Sequence, residues 1–260
     1  MRTNNKDLPL DQFIEFALYD KDKGYYMKKN PFGKEGDFIT APNITRLFSE
    51  IIAIWVVTFW KSIGSPKKFN LVELGAGNGE MMKVIAETLK NFPECFLNCN
   101  FLIHEKSEFL KKKQQINLES EKITWIENIE ITNSFPTIFL ANEFFDALPI
   151  KQFFRRKEGW VERFVDLKKE EKAEFIEQST DIKIIEQKLN FEISKDQEII
   201  EYSPGSFEYL NNICNLIKKN DGGILIIDYG YLNFKMRETL QAINNHKFSS
   251  ILKDIGDSDI

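Results

Sequence analysis

The sequence predicts an α/β fold in which a parallel sheet carries helices on both faces. Two observations support this prediction. From residue 69 onward, short apolar segments alternate with longer stretches of helical periodicity, a spacing typical of parallel sheets. A glycine-rich loop also follows the first apolar segment directly, as in folds that bind a ligand where a strand meets a helix.

Composition narrows the class of protein. The chain has 260 residues, of which 42% are hydrophobic and 29% charged, as in soluble globular proteins. The net charge of −5 argues against a broad nucleic-acid-binding surface. Three cysteines without a CxxC pair indicate reduced thiols and give no metal motif.

Targeting and membrane signals are missing from the sequence pattern. Residues 1–10 have neither an apolar signal core nor a transit-peptide composition. The longest apolar run, at residues 51–60, is shorter than the ~20 residues that a bilayer span requires. We therefore expect no membrane insertion and a cytoplasmic, bacterial location.

The first part of the chain is predicted as a helical region, residues 1–66. One helix is expected over 10–18 and a second over 44–63, with a loop rich in Gly, Pro, Asp and Asn between them. The second helix is apolar almost all round, and we expect its core-facing side to comprise Leu47, Ile51, Trp55 and Phe59.

The remainder, residues 67–260, is predicted as a Rossmann-like domain with an insertion at about 150–200. Expected strands are 69–74, 101–104, 123–126, 137–141 and 224–227. Expected helices are 80–91, 107–118 and 204–218. The segments 153–154 and 161–165 predict a β-hairpin, and residues 170–198 have a charged, exposed pattern.

The glycine loop is the strongest local motif. It reads VELGAGNG, with Glu73 at the strand end and glycines at 75, 77 and 79. A dinucleotide fingerprint needs a further glycine where this chain has Glu80. The GxGxG spacing after an acid favours S-adenosylmethionine, whose cationic amino-acid end a carboxylate can pair with. The alternative is a turn that only packs a strand against a helix.

Glu105 follows the second predicted strand. An acid at this point can accept hydrogen bonds from both hydroxyls of a ribose. It lies 26 residues beyond Gly79 (79 to 105), further than the usual ~20, so the first helix or its loop must be extended. A solvated surface glutamate is the alternative.

Asn142, Glu143 and Asp146 follow the fourth predicted strand, on the edge where open α/β sheets bind ligands. Two acids near a transferable methyl group could orient a cationic or amine acceptor and take its proton. The alternative is a helix N-terminus whose dipole the acids complement.

Several longer motifs occur together in a fixed order. They are GDFITAP (36–42), VELGAGNG (72–79), NEFFDALPIKQF (142–153), EYSPGS (201–206) and GGILIIDYGY (222–231). In this combination the chain resembles the MidA-like family of S-adenosylmethionine-dependent methyltransferases, from Leu8 to the last residues.

The resemblance implies a class I methyltransferase fold with added N-terminal helices. It also implies a protein arginine methyltransferase: mitochondrial relatives dimethylate an arginine symmetrically on a peripheral-arm core subunit during respiratory complex I assembly. A cofactor-binding assembly protein without catalysis and a small-molecule methyltransferase are the alternatives.

Site residues follow from the resemblance position by position. The cofactor side comprises Asp37, Phe38, Thr40, Glu73, Gly75, Gly77, Gly79 and Glu105. The acceptor side comprises Asn142, Glu143 and Asp146, and the chemistry needs no metal. Family members continue beyond the position of Ile260, so the antiparallel strands that close the class I sheet are not expected here.

Overall fold

The structure is a computed structural model that describes residues 7–28, 31, 40–132, 134–167, 173–244, 246–253 and 255–260. Asp37 and Phe38, which the family resemblance places beside the cofactor, lie outside the described residues.

The described residues form both helices and strands. The helices are α1 Leu10–Tyr19, α2 Tyr25–Lys28, α3 Ala41–Ile44, α4 Arg46–Ser62, α5 Glu80–Leu89, α6 Pro93–Asn98, α7 Glu108–Asn117, α8 Lys183–Leu189 and α9 Pro204–Asn220, and a 3₁₀ turn covers Ile129–Thr132. The strands are β1 Leu8–Pro9, β2 Phe69–Leu74, β3 Cys99–His104, β4 Ile123–Ile126, β5 Thr137–Asn142, β6 Lys151–Arg156, β7 Gly159–Asp166, β8 Glu174–Ser179, β9 Ile199–Tyr202, β10 Gly222–Ile227, β11 Ala242–Asn244 and β12 Lys247–Ser249.

The chain divides into two compact units. The first comprises residues 1–25, 147–207 and 230–260, and the second comprises residues 26–146 and 208–229. The division predicted at residue 66 falls inside the second unit.

The second unit contains the predicted parallel sheet. Its strand order is β4-β3-β2-β5-β10, and each neighbouring pair is parallel. Consecutive residues of β2 pack in different hydrophobic clusters: Leu71 packs with residues of α4 and α5, and Val72 packs with Ile213 and Leu216 of α9. Because side chains alternate across a strand, this confirms helices on both faces of the sheet.

The core-facing side of α4 differs from the sequence prediction. Leu47 and Ile51 are each 59% exposed, and Trp55 and Phe59 are only partly buried. The buried positions of this helix are Ser49, Ile52, Ala53, Val56, Val57 and Trp60. A helix that is apolar nearly all round leaves its orientation open, and packing on β2 and α5 selects the neighbouring face.

Trp60 is therefore the aromatic residue of α4 whose loss should destabilise the protein most. Its side chain is 2% exposed, its indole N–H donates to the carbonyl of Pro66 at 3.1 Å, and its ring lies 6.2 Å from that of Phe69. We expect Trp60→Ala to lower the free energy of unfolding by about 3–5 kcal/mol, measured by urea denaturation. Leu47→Ala, on the exposed side, is the matched control and should change it by less than ~1 kcal/mol. Equal effects would contradict the observed orientation of α4.

The first unit is built on an antiparallel sheet. Its order is β1-β7-β6-β9, with β8 also paired to β7, and the β6–β7 hairpin matches the prediction. Residues 170–198 were expected only as a charged, exposed stretch, but β8 and α8 lie within them. A small core of Phe153, Ile182 and Ile200 supports this sheet, and β11 pairs with β12 in a separate hairpin.

Within the described ranges, none of the helices is both long enough and apolar enough to span a bilayer.

Candidate functional site

Acidic and amide side chains gather at one edge of the parallel sheet. Glu73 lies one residue before the end of β2, Glu105 directly follows β3, Asn142 ends β5 and Asp228 directly follows β10. Because these strands are parallel, their carboxyl ends meet at the same edge, where open α/β sheets bind ligands.

The glycine loop between β2 and α5 needs its glycines. Gly75, Gly77 and Gly79 have φ angles of +63°, +55° and +84°, in the left-handed region that favours glycine. A Cβ atom at position 75 would also lie 2.8 Å from the ring of Phe144. Glycine at these positions therefore permits the left-handed backbone of the loop and its close approach to Phe144, and α5 begins directly after Gly79.

Glu73 is a buried carboxyl with one unused oxygen. The side chain is 4% exposed and accepts a hydrogen bond from the backbone N–H of Met82, but its Oε2 atom has no hydrogen-bond partner among the residues that the structure describes. Burial, reinforced by the nearby Glu105 carboxyl, raises the pKa of Glu73 to about 8. A cationic group is the partner that such an oxygen lacks.

Glu105 is held beside the same loop by Gln114 of α7. Its Oε1 accepts from the backbone N–H of Ser107 at 2.9 Å, and its Oε2 accepts from Gln114 Nε2 at 2.9 Å. The same Gln114 nitrogen donates to the carbonyl of Gly77 at 2.9 Å, and Gln114 Oε1 accepts from Trp125. Burial raises the pKa of Glu105 to about 7 despite these hydrogen bonds.

The long spacing between the glycine loop and Glu105 has a structural explanation. After α5 ends at Leu89, the short helix α6 (Pro93–Asn98) precedes β3. Proline at the first position of α6 fixes the start of this helix. The sequence predicts an extension here, and α6 is that extension.

The two buried glutamates should make the ligand-free protein less stable as the pH rises. A carboxyl whose pKa is raised on folding holds its proton in the folded state after the unfolded chain has lost it. The contribution of Glu73 to the free energy of unfolding is fully present below its ordinary pKa of 4.5. That contribution is lost as the pH rises to the folded-state pKa of about 8. We expect the urea midpoint to fall between pH 5 and pH 8.5, and Glu73→Gln to reduce that fall. Glu105→Gln should also reduce the fall of the urea midpoint with pH. If both variants showed the same fall as the wild type, these carboxyls would be ionised throughout this pH range.

A chain of polar contacts joins the glycine loop to the segment before α4. Asn78 Nδ2 donates to Asn43 Oδ1 at 2.9 Å, and Asn43 Nδ2 donates to Thr40 Oγ1 at 2.8 Å. Thr40, which the resemblance assigns to the cofactor side, is thereby connected to the loop. The next residue, Ala41, donates its backbone N–H to the carboxylate of Glu143. Residues 40–43 thus contact both the cofactor-side loop and the acceptor-side acid.

Two of the acceptor-side residues, Glu143 and Asp146, lie on an irregular turn and not on a helix, and Asn142 is the last residue of β5. Residues 143–150 form turns and bends, so the helix N-terminus considered as the alternative interpretation is wrong. Glu143 has a φ of +48°, and its N–H donates to the carbonyl of Ile227 at 2.8 Å. Burial, and then the charge of Asp228, raises the pKa of Glu143.

The other two acceptor-side residues differ in exposure. Asp146 is exposed, and its backbone N–H donates to Asp228. The Asn142 side chain hydrogen-bonds to Glu143, while Asn142 Oδ1 is buried and has no hydrogen-bond partner within the described part of the chain. The edge therefore presents one partly buried acid, one exposed acid and one unused carbonyl oxygen.

The sequence does not predict that Gln114 contacts the site or that Tyr209 contacts His104. Gln114 lies within a Lys- and Gln-rich helix that carries no motif, and only its complete burial distinguishes it. The Tyr209 hydroxyl lies 2.8 Å from His104 Nε2, while His104 Nδ1 lies 3.1 Å from the carbonyl of Ile126. The carbonyl can only accept, so Nδ1 carries the proton and the Tyr209 hydroxyl donates to Nε2. His104 is thus engaged on both nitrogens, as expected for a structural histidine.

These side chains and the glycine loop together fit S-adenosylmethionine. Glu73 Oε2 can accept from an ammonium group, Glu105 can accept from ribose hydroxyls, and the glycine backbone permits close approach. In the part of the chain that the structure describes, no group of three His, Cys, Asp or Glu side chains could hold a metal ion.

Comparison with protein families gives one match that covers most of the chain. The sequence model of the family described as "Putative S-adenosyl-L-methionine-dependent methyltransferase" matches residues 51–260. This range includes the glycine loop and every predicted site residue except Asp37, Phe38 and Thr40.

Similar proteins include mitochondrial protein arginine methyltransferases named NDUFAF7. The Xenopus laevis protein is 26% identical over 279 residues, covering 97% of this chain and 63% of its own length. The Homo sapiens protein is 27% identical over 275 residues, covering 96% of this chain and 62% of its own length. The chain thus spans less than two thirds of these relatives.

A solved structure shares the fold. A crystal structure from Burkholderia thailandensis, bound to S-adenosyl-homocysteine, superposes with a TM-score of 0.80 at 20% identity, over 97% of this chain and 68% of that one.

Proposed function

Because this chain belongs to the family of S-adenosyl-L-methionine-dependent methyltransferases whose model matches residues 51–260, we propose that it transfers a methyl group to an arginine of a protein. Its similarity to mitochondrial protein arginine methyltransferases supports arginine as the class of acceptor. The family resemblance extends the proposal to a core subunit of respiratory complex I as the protein partner.

One observation carries the proposal: residues 40–43 join a cofactor-type loop to a carboxylate at the same edge of the sheet. Thr40 and Asn43 are linked to Asn78 of the loop, and Ala41 N–H binds the Glu143 carboxylate. A methyltransferase needs this juxtaposition, because the donor and the acceptor must meet in line.

Glu73, the glycine loop and Glu105 are the groups that would hold the cofactor. S-adenosylmethionine, when bound, supplies a methyl group activated for direct displacement by a nucleophile. The buried Glu73 oxygen would pair with the cationic amino-acid end of the cofactor. Gln114 hydrogen-bonds to both Glu105 and the Gly77 carbonyl and so keeps them in fixed relation.

The acceptor-side acids can make the weakly nucleophilic side chain of arginine more reactive. A guanidinium has a pKa of ~12.5–13.8, so the free base is scarce at neutral pH. The Glu143 carboxylate can hold positive charge on one end of the guanidinium and leave the other nitrogen nucleophilic. It then takes the proton that this nitrogen releases. Asp146 is exposed on the same turn. In this proposal it orients the approaching side chain.

Methyl transfer from labelled S-adenosylmethionine to peptides tests the proposal. We expect label in a peptide with one arginine and none when lysine replaces that arginine. Label in lysine, or in small molecules alone, would contradict arginine as the acceptor. Cofactor binding without any transfer would favour an assembly protein.

A further inference from the structure

The turn after β5 has a backbone conformation that needs support. Glu143 has a φ of +48°, which glutamate rarely adopts. Such conformations persist where surrounding contacts enforce them, and they occur often at functional sites. At one end of the turn, the N–H of Glu143 donates a hydrogen bond to the carbonyl of Ile227 and fixes the backbone there.

The side chain of Asp228 fixes the other end of the turn by hydrogen bonds. Its Oδ2 atom accepts hydrogen bonds from the backbone N–H groups of Phe145 at 3.1 Å and Asp146 at 3.2 Å. Its Oδ1 atom accepts from the N–H of Tyr229 at 2.8 Å. One carboxylate at the end of β10 thus binds two successive amides of the neighbouring turn, which lies more than 80 residues away in the sequence.

We propose that Asp228 is the positioning residue that holds the 143–146 turn, and with it the Glu143 carboxylate, in the geometry that meets the acceptor. The proposal deepens the proposed function and rests on it. Asp228 acts through the turn, and no contact between Asp228 and the acceptor is required. Hydrogen bonds to a charged acceptor are stronger than neutral ones, so a carboxylate suits this task better than an amide.

Asp228 also acts on Glu143 through its charge. Among the described residues, the groups that face Glu143 are Asp228, the Ala41 N–H, the Asn142 side chain and the phenol of Tyr229. Burial and the charge of Asp228 oppose ionisation of Glu143, and the two hydrogen bonds favour it. A neutral residue at position 228 should therefore lower the pKa of Glu143. Asp228→Asn preserves the shape of the side chain, so a lower pKa in that variant reports the lost charge and not a loss of burial.

Two variants separate these roles in the full chain. Asp228→Ala removes the amide contacts, and Asp228→Asn keeps an acceptor oxygen while removing the charge. In Asp228→Ala we expect hydrogen exchange of the Phe145 and Asp146 amides to accelerate about tenfold or more. We expect kcat for methyl transfer to fall on the order of 100-fold, with cofactor affinity unchanged. In Asp228→Asn, carbon-detected NMR titration should show a lower pKa for Glu143.

Asp221→Asn is the matched control, since Asp221 is exposed and precedes the same strand at its opposite end. It should change none of these quantities. Unchanged amide exchange in Asp228→Ala, or a fall in kcat matched by equal losses of cofactor affinity and stability, would overturn the proposal. Amide exchange and the Glu143 titration need no acceptor, so they decide the role of Asp228 even if the wild-type protein transfers no methyl group.

Discussion

Glu143→Gln should reduce methyl transfer 10²–10⁴-fold, the usual contribution of a positioned acid or base. The change preserves the shape of the side chain and removes the charge that pairs with a guanidinium. Glu73 and Glu105 are untouched, so calorimetry should show a cofactor affinity near that of the wild type. Single-turnover assays at saturating cofactor measure the loss.

Asp146→Asn is the companion to that variant. Asp146 is exposed, so water screens its charge and the loss of activity should be smaller than at Glu143. The wild-type rate should also rise with pH through an apparent pKa above the ordinary 4.5, because Glu143 acts when ionised and its pKa is raised. A larger loss at Asp146, with Glu143→Gln near wild type, would transfer the role of base to Asp146.

Gly77→Val should weaken cofactor binding by about 10–100-fold. Gly77 has a φ of +55°, and a β-branched residue forced into this conformation costs about 1–3 kcal/mol or shifts the loop. Its carbonyl, which accepts from Gln114, would move with it and loosen Glu105. Calorimetry with S-adenosylhomocysteine measures the affinity.

Gly205→Val is the matched control for this substitution. Gly205 has open space around the position of a Cβ atom, so the same change there should leave cofactor affinity intact. Thermal melting of both variants separates lost binding from lost folding. Wild-type affinity in Gly77→Val would exclude the glycine loop as the cofactor contact.

The parallel sheet could be predicted from the sequence because its signals are local. The strand Phe69–Leu74 is a continuous apolar run ended by glycine, and its observed bounds equal the predicted ones. The orientation of α4 could not be predicted, because apolar residues cover nearly all of its circumference. Its orientation depends on packing partners that are distant in sequence.

In the candidate site, too, some residues could be predicted from local sequence signals and others could not. The glycine loop and Glu105 carry signals in their spacing, whereas Gln114 and Asp228 act through contacts with segments 37 and more than 80 residues away. The turn at Glu143 shows the same limit. Its sequence, NEFFDALP, is compatible with a helix start, whereas contacts with residues distant in sequence, among them Ile227 and Asp228, hold it in another conformation.

Titration of the protein with S-adenosylhomocysteine, followed by amide NMR shifts, tests most directly that the cofactor binds at the carboxyl edge of the parallel sheet. We predict saturable shifts that are largest at residues 75–79 and at the amides around Glu105, and a Gly77→Val variant that needs more ligand to reach them. Shifts centred elsewhere, such as on the exposed side of α4, or no shifts at saturating ligand, would contradict the assignment.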